Sequence, residues 1–149
     1  MGAAADRSRD VEMSRILLDT SAYAGYLRNH PQLQAPIQGA SAVHLNAVVL
    51  GELLAGFKKG SRPRQNENRL REFIAEPRVT VLSVDEETAV RYAAIKDYLC
   101  RKGTPIPAND LWIAATAFQH GLRLQTLDAH FLRVPQILVD LFEPLTSSK

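Results

Sequence analysis

Short apolar runs alternate with longer amphipathic segments along most of this chain. A continuous apolar run is typical of a strand that is buried on both faces, as the strands of a parallel sheet are. Four runs predict such strands, namely "RILLD", "AVHLNAVV", "VTVLSV" and "LRLQTLD". A fifth run, "ILVDLF", is either a short last strand or a tail.

The segments between these runs carry apolar residues at helical spacing. In "VLGELLAGFKKG" the leucines and Phe57 share one face, and Gly60 ends the helix. Helices are also predicted at Thr20–Leu27, from Pro31, at 63–75, at 85–100 and in "NDLWIAATAFQHG". Strands that alternate with helices imply right-handed crossovers and a parallel sheet with helices on both faces. We therefore expect an α/β fold whose functional groups lie at the carboxyl ends of the strands.

Composition and chain ends narrow the class of protein. Residues 1–12 are small and charged without periodicity, so we predict a disordered leader before a single domain at 13–149, with Met13 as an alternative start. Cys100 is the only cysteine, which excludes an intrachain disulfide and suits a reducing cytoplasm. No apolar run approaches the ~20 residues of a membrane span, and we expect a cytoplasmic protein. Four scattered histidines without cysteine pairs do not predict a structural zinc site.

Acidic residues stand where several predicted elements begin or end. Asp19 ends the first strand, and Glu52 lies in the first turns of the helix after the second strand. Asp110 begins the helix after a loop with two prolines, and Asp128 follows the fourth strand by two residues. If strands one, two and four are neighbours in a parallel sheet, all four acids reach the same edge.

Each of these acids also has a structural explanation. Asp19 and Asp110 are suited to cap the helices they precede, Glu52 to lie exposed on its helix, and Asp128 to shape a turn. Four clustered carboxylates, however, would repel one another without a cation. Oxygen ligands without cysteine or paired histidine favour Mg²⁺ or Mn²⁺. Because such an ion polarises a phosphoryl oxygen and lowers the pKa of water, the pattern indicates metal-dependent phosphoryl chemistry.

A basic segment follows the helix that carries Glu52. The formal charge of +2 does not by itself indicate nucleic-acid binding, but six basic residues fall within positions 58–71, namely Lys58, Lys59, Arg62, Arg64, Arg69 and Arg71. Such a segment is suited to contact phosphates. A solvated helical hairpin explains it equally well, so both interpretations stay open on composition alone.

Several motifs resemble the PIN-domain family, and within it the VapC toxins of bacterial toxin–antitoxin pairs. They are "LLDTSAY", "NAVVLGELLAG", "IPANDLWIAATAFQHGLRLQTLDAHF" and "RVPQI", and they span roughly residues 16–142 in the family's order. The resemblance implies a three-layer α/β/α sandwich with a central parallel sheet of four to five strands. It also implies an endoribonuclease that depends on Mg²⁺ or Mn²⁺ and leaves 5′-phosphate and 3′-hydroxyl ends. A homodimer and a cognate antitoxin that enters the acidic site are the expected partners.

The resemblance also assigns roles to residues of this chain. It places the catalytic and metal-binding acids of the family at Asp19, Glu52, Asp110 and Asp128. It places supporting hydroxyl groups at Thr20 or Ser21 and at Thr126. RNA contacts are expected from the basic segment, with Lys58, Lys59, Arg62 and Arg64 as its candidates.

Two positions depart from the pattern of the family. Asn46 stands where many relatives carry Ser or Thr, and its amide is expected to donate to a carboxylate or to a substrate phosphate. His130 stands where many relatives carry a further Asp, which argues against a second firmly bound metal ion. We interpret His130 as a surface histidine without a role, with a contact to phosphate as the alternative.

Two rival functions remain at this stage. A strand that ends in Asp-Thr also resembles the aspartyl-phosphate phosphatases, but those enzymes carry a second acid two residues on, where this chain has Ser21. The other rival is a PIN-like module that binds RNA or an antitoxin and cleaves little. The complete set of acids favours the enzyme.

Overall fold

The computed structural model describes residues 14–145, which form a five-stranded parallel sheet with helices on both sides. In chain order the elements are β1 (Arg15–Leu18), α1 (Thr20–Leu27), α2 (Pro31–Gly39), β2 (Ala42–Asn46), α3 (Ala47–Lys59), α4 (Pro63–Ile74), β3 (Val79–Leu82), α5 (Glu86–Lys102), α6 (Ala108–His120), β4 (Arg123–Thr126), a 3-10 helix (Ala129–Arg133) and β5 (Leu138–Leu141). This confirms the predicted three-layer α/β/α class.

The order of strands in the sheet is β3-β2-β1-β4-β5, and every neighbouring pair is parallel. Leu17 of the central strand β1 lies opposite His44 of β2 and Leu124 of β4. Strands one, two and four are therefore neighbours, which was the condition for the acids to meet at one edge. The run "ILVDLF" forms the edge strand β5 and is not a tail.

The hydrophobic core lies on both faces of β1. Leu17 and Leu18 are fully buried, as the continuous apolar run predicted. Helix α6 contributes a run of small buried residues, Ala114 and Ala115 among them, which lets its backbone approach its neighbours closely. Gly121 ends α6 in a left-handed conformation with φ of 64°, as its position after the helix predicted.

Some predicted boundaries of the elements were wrong. The run "AVHLNAVV" is strand only to Asn46, because the Oδ1 atom of Asn46 accepts a hydrogen bond from the Val49 N–H at 2.9 Å and starts α3 there. Helix α5 continues to Lys102, where Gly103 adopts φ of 70°. Helix α6 begins at Ala108, directly after Pro107, so Asp110 lies inside its first turn and does not cap it.

Two further predictions concerned the limits of the domain and the lack of a membrane-spanning segment. The predicted leader, residues 1–12, lies outside the described residues, and the extent of the domain at 13–149 stays a prediction. Among the helices at positions 14–145, none has the length and apolar character that crossing a membrane requires.

Arg123 and Gln125 of β4 hold Asp140 of β5. The Nε and Nη2 atoms of Arg123 donate to the two carboxylate oxygens of Asp140 at 3.0 and 2.5 Å, and the Gln125 side-chain amide donates at 2.6 Å. The Arg123 guanidinium holds the pKa of Asp140 below its usual value. This bidentate contact attaches the edge strand to the sheet.

Asp140→Ala is expected to lower the free energy of unfolding by about 1–3 kcal/mol, because the buried Gln125 amide and the Arg123 guanidinium lose their acceptor. The pKa of Asp140 is lower in the folded than in the unfolded chain. The stability it contributes is therefore present above the usual pKa of the carboxyl and is lost as the pH falls through the folded value. Urea unfolding at about pH 7 and about pH 3 measures this loss.

Asp97→Ala is the matched control for this prediction. Asp97 pairs with Arg101 at 3.0 Å on the surface of α5, where both side chains are mostly exposed. Replacing Asp97 with Ala should lower the free energy of unfolding by less than about 0.5 kcal/mol. Equal effects of the two variants would contradict a structural role for the Arg123–Asp140 pair.

Candidate active site

Asp19 follows β1 directly and lies at the carboxyl end of the central strand. Its side chain is only 4% exposed. The Oδ1 atom accepts hydrogen bonds from the Ser21 hydroxyl at 2.7 Å and from the Ala22 N–H at 2.8 Å, and Oδ2 accepts from the Thr126 hydroxyl at 2.5 Å. Asp19 therefore caps α1 and is held in one orientation by groups of α1 and by Thr126 at the end of β4.

The hydroxyl groups around Asp19 connect the loop after β4 to α1. The Oγ1 atom of Thr126 accepts from the Asp128 N–H at 2.9 Å while its proton goes to Asp19. The Oγ atom of Ser21 accepts from the Leu127 N–H at 3.0 Å. The hydroxyl groups of Thr126 and Ser21 therefore each donate one hydrogen bond and accept another. As a result, the position of Asp128 depends on the same Thr126 hydroxyl that orients Asp19.

Glu52 lies one and a half turns into α3, and both of its carboxylate oxygens are held. The Thr20 hydroxyl donates to Oε1, and the Asn109 side-chain amide donates to Oε2 at 3.0 Å. These contacts connect α3 with α1 and α6. Sequence reasoning missed Asn109 as a site residue, because its place at the start of a helix already had a structural explanation.

His130 lies between two of the acids. Its Nε2 atom is 2.6 Å from Oδ2 of Asp110, and its Nδ1 atom is 2.8 Å from Oδ1 of Asp128. The interpretation of His130 as a surface residue was therefore wrong, since its side chain is mostly buried between two acids, and its role stays a prediction. Asp110, Asp128 and His130 offer ligand atoms that all lie within 4.8 Å of one another. Asp128 additionally caps the 3-10 helix by accepting from the His130 N–H at 3.2 Å.

The pKa values of two acids show that negative charge is crowded here. Burial raises the pKa of Asp19, the hydrogen bonds from Thr126, Ser21 and Ala22 lower it, and the charge of Asp110 raises it further. Burial also raises the pKa of Asp110, where the contact with His130 works in the opposite direction. The charges of Asp128 and Glu52 add to the increase at Asp110. Asp110 thus interacts electrostatically with each of the other three predicted acids.

The donor set of this edge fits a divalent cation. It consists of carboxylate oxygens with one imidazole nitrogen. A cation would offset the burial and the neighbouring charges that raise the pKa of Asp110. Carboxylates held by hydrogen bonds, as in Asp19 and Glu52, are also the usual form of metal-binding acids. Asp110, Asp128 and His130 could hold such an ion, while Asp19 and Glu52 each interact electrostatically with Asp110.

At positions 14–145, Asn46 and the predicted RNA-binding residues make no hydrogen bond or ion pair with the four acids. Asn46 is fully buried, and its amide donates to the Thr116 hydroxyl at 3.0 Å, so within positions 14–145 it makes no hydrogen bond to an acid. Its expected contact with a carboxylate was wrong, because capping α3 and joining it to α6 use the whole side chain. The predicted RNA-binding residues are exposed around the α3–α4 connection, namely Lys58, Lys59, Arg62 and Arg64.

Thr126→Val is expected to lower the free energy of unfolding by about 2 kcal/mol, because Asp19 loses a donor and the Asp128 N–H loses its acceptor. The affinity for Mn²⁺ is expected to fall by about 10- to 100-fold, since the orientation of two acids depends on this hydroxyl. Urea unfolding and isothermal titration measure the two effects. Thr80→Val, at an exposed position of β3, is the control, and equal results for both variants would contradict the role of Thr126.

Comparison with known proteins agrees with this geometry. The family model of the PIN domain matches residues 16–137. Ribonuclease VapC4 of Mycobacterium tuberculosis is 31% identical over 131 residues, which cover 87% of this chain and 98% of that protein.

Solved structures of VapBC proteins are also similar to this chain. The crystal structure of DNA-bound VapBC from Salmonella typhimurium superposes with a TM-score of 0.75 at 29% identity and covers 85% of this chain and 96% of that one. VapBC-5 from Mycobacterium tuberculosis, described as a member of the VapBC family of toxin-antitoxin systems, superposes with a TM-score of 0.65 at 26% identity, covering 86% and 97% of the two chains. The family model covers most of the chain, and the chain therefore belongs to the PIN domain family.

Proposed function

We propose that this protein is a metal-dependent endoribonuclease and the toxin of a toxin–antitoxin pair. The observation that carries the proposal is the approach of four acids at one edge of the sheet, where Asp110 interacts electrostatically with Asp19, Glu52 and Asp128. The 31% identity to a ribonuclease over nearly the whole of its length supports the same reaction. The likeness to a toxin-antitoxin structure supports the biological class.

Mg²⁺ or Mn²⁺ is the cofactor we propose, with Asp19, Glu52 and Asp110 as its ligands and Asp128 completing the set or holding a second ion. Such an ion supplies a Lewis acid for the phosphoryl oxygen and lowers the pKa of a water molecule at the site. A hard cation is favoured because most of the available ligand atoms are carboxylate oxygens.

The residues around the acids keep the site in a single arrangement. Thr126 and Ser21 fix the carboxylate of Asp19, while Thr20 and Asn109 fix that of Glu52. Because these carboxylates are oriented before any ligand binds, little reorganisation is needed at the moment of reaction. The exposed basic residues Lys58, Lys59, Arg62 and Arg64 are proposed to attract the RNA backbone towards this edge.

The partners follow from the same proposal. A cognate antitoxin would cover the acidic edge and keep the enzyme inactive, and two copies of the chain would form a homodimer. The cytoplasm is the proposed place of action, because RNA is the substrate.

The proposal is tested by incubating purified protein with RNA in Mg²⁺, in Mn²⁺ and in EDTA. Brief induction in cells, followed by mapping of RNA 5′ ends, identifies the cleaved sites. We expect new 5′-phosphate ends that depend on the metal and disappear with Asp19→Asn. Cleavage in EDTA at the same rate as in Mg²⁺ would contradict the metal-dependent mechanism.

The alternative of a binding module that cleaves little is separated by isothermal titration with Mn²⁺. The antitoxin-free enzyme is expected to bind the ion, whereas a module that only binds RNA or an antitoxin has no need of it. Titration without heat, together with RNA that stays intact, would favour the binding module.

A further inference from the structure

His130 brings both ring nitrogen atoms of an imidazole into the group of acids. Its side chain is 20% exposed, as is that of Asp110. The Nε2 atom lies 2.6 Å from Oδ2 of Asp110, and the Nδ1 atom lies 2.8 Å from Oδ1 of Asp128. Each ring nitrogen therefore faces a carboxylate oxygen from a different part of the fold, one at the start of α6 and one after β4.

The two contacts of this ring are not equivalent, because of the donors that an imidazole has. A neutral imidazole carries one N–H donor and one nitrogen lone pair, and an ionised carboxylate only accepts hydrogen bonds. One contact is thus a hydrogen bond, whereas the other brings a lone pair towards a carboxylate oxygen. The second contact is favourable only when a positive charge, either a proton or a metal ion, lies between the two atoms. The nitrogen with the lone pair is therefore placed as a metal ligand.

Asp128 is the acid that suits the N–H of the ring. Its Oδ1 atom also accepts from the main-chain N–H of His130 at 3.2 Å, so this oxygen contacts both the ring and the main chain of one residue. Asp110 is instead the acid whose charge interacts with Asp19 and Glu52. We therefore assign the N–H to Nδ1 and the lone pair to Nε2, on the side of Asp110. Imidazoles that bind metal ions usually donate their second N–H to a carboxylate in this way.

The chain around His130 holds its ring in place. The 3-10 helix Ala129–Arg133 follows β4 closely, and Asp128 caps it. The neighbouring Phe131 is fully buried, and the centres of its ring and the His130 ring lie 5.1 Å apart. A ligand that packing and hydrogen bonds orient beforehand loses little freedom on binding, so this position is suited to contribute to metal affinity.

A nitrogen ligand does not serve all divalent ions equally. Mg²⁺ takes oxygen ligands and keeps several of its water molecules. First-row transition ions accept imidazole, and their affinity for sites with nitrogen and oxygen ligands rises from Mn²⁺ to Co²⁺. An imidazole in a group of carboxylates therefore adds affinity for Mn²⁺ and Co²⁺ and adds little for Mg²⁺.

We propose that Nε2 of His130 is a ligand of the metal ion in the candidate active site and shifts the preference of this site from Mg²⁺ towards Mn²⁺ and Co²⁺. Asp110 is a ligand of the same ion, and Asp128 orients the imidazole through its Nδ1–H group. The inference rests on the proposed metal-dependent function and chooses between the two ions named there. An aspartate at position 130 would leave the site with oxygen ligands alone.

Two substitutions at position 130 separate the nitrogen ligand from the charge of the site. His130→Asn removes the imidazole without adding a charge, and it keeps the main-chain N–H from which Asp128 accepts. His130→Asp adds an oxygen ligand and a negative charge. His120→Asn is the matched control, because His120 is partly buried, as His130 is, and ends the helix whose first turn carries Asp110. At a rise of 1.5 Å per residue, it lies about 15 Å from Asp110 along α6.

Isothermal titration of the full chain with Mg²⁺, Mn²⁺ and Co²⁺, all at one pH, measures the preference. In His130→Asn the affinity for Co²⁺ should fall about tenfold or more, while that for Mg²⁺ should change about twofold or less. His130→Asp should bind Mg²⁺ more tightly than the wild type and Co²⁺ more weakly, because it exchanges the nitrogen for a charged oxygen. The ratio of the Mg²⁺ and Co²⁺ dissociation constants should thus fall about tenfold or more in both variants and stay unchanged in His120→Asn.

Proton NMR of the Co²⁺-loaded protein reports the ligand itself. The N–H proton of an imidazole that binds Co²⁺ is shifted far from the other protein signals by the unpaired electrons, and it disappears when water is exchanged for D₂O. We expect such a signal in the wild type and in His120→Asn. It should be missing from His130→Asn and His130→Asp.

Three results would count against the inference in different ways. An unchanged ratio of dissociation constants in both His130 variants, or a shifted N–H signal that survives in them, would overturn it and leave the proposed function intact. Lack of binding for all three ions would overturn both. RNA that stays intact in Mn²⁺ despite the expected pattern of binding would contradict the ribonuclease function alone.

Discussion

Asp19→Asn is expected to reduce RNA cleavage by about a thousandfold or more, because it removes a negative ligand from the candidate metal site and with it several kcal/mol of transition-state stabilisation. Folding should survive. An asparagine caps a helix as well as an aspartate does, so its Oδ1 atom can still accept from the Ala22 N–H and the Ser21 hydroxyl. We expect the free energy of unfolding to change by no more than about 1 kcal/mol.

The experiment compares initial cleavage rates of wild type, Asp19→Asn and a control, with urea unfolding of all three. Asp97→Asn is the control, because Asp97 lies in an exposed ion pair on α5. Its cleavage rate should match that of the wild type. An Asp19→Asn variant that is folded and cuts RNA at the wild-type rate would show that the acids of this edge do not carry the reaction.

Divalent ions are expected to stabilise the folded protein strongly, and their effect should grow with pH. Without metal, burial and neighbouring charges raise the pKa of Asp19 and Asp110 above the usual carboxyl value. The folded chain then binds more protons than the unfolded chain at pH values between the unfolded and the folded pKa. Stability in EDTA should therefore fall as the pH rises above about 4, through the folded pKa values.

A bound cation removes this loss, because it neutralises the same carboxylates. At a concentration of one hundred times its Kd, Mn²⁺ is expected to add about 2.7 kcal/mol to the free energy of unfolding. Urea unfolding at several pH values, in EDTA and in Mn²⁺, measures both effects. Asp19→Asn should flatten the pH dependence in EDTA and lose most of the stabilisation by Mn²⁺. Equal stability with and without Mn²⁺ at every pH would argue against a metal centre.

The four acids of the site fall into two pairs that differ in what holds their carboxylates. Asp19 and Glu52 each have both oxygens held by neutral donors. Asp110 and Asp128 instead face the imidazole of His130. The first pair is therefore oriented by groups that carry no charge, while the second pair shares a group that is itself a metal ligand in many proteins. A cation that binds to all of them would have to displace or include His130.

Local patterns in the sequence predicted the type and order of the main strands and helices, and they predicted that the four acids approach one another. The run before Asp19 predicted a buried strand, and Thr20–Leu27 was predicted with its observed limits. Alternation of strands with helices predicted a parallel sheet, and a parallel sheet places the ends of its strands at one edge. This rule is enough to place Asp19 and Asp128 at that edge, because each stands just after a predicted strand.

Contacts between distant parts of the chain were decided only by the tertiary structure. The pair of His130 and Asp110 spans 20 positions, and that of Asn109 and Glu52 spans 57. No spacing in the sequence distinguishes such pairs from side chains in solvent, because the packing of α3 against α6 and the turn after β4 bring them together. Sequence alone therefore determined which acids this edge of the sheet carries, because their places follow from local patterns. Long-range packing determined which side chains orient those acids, because the contacts join distant parts of the chain.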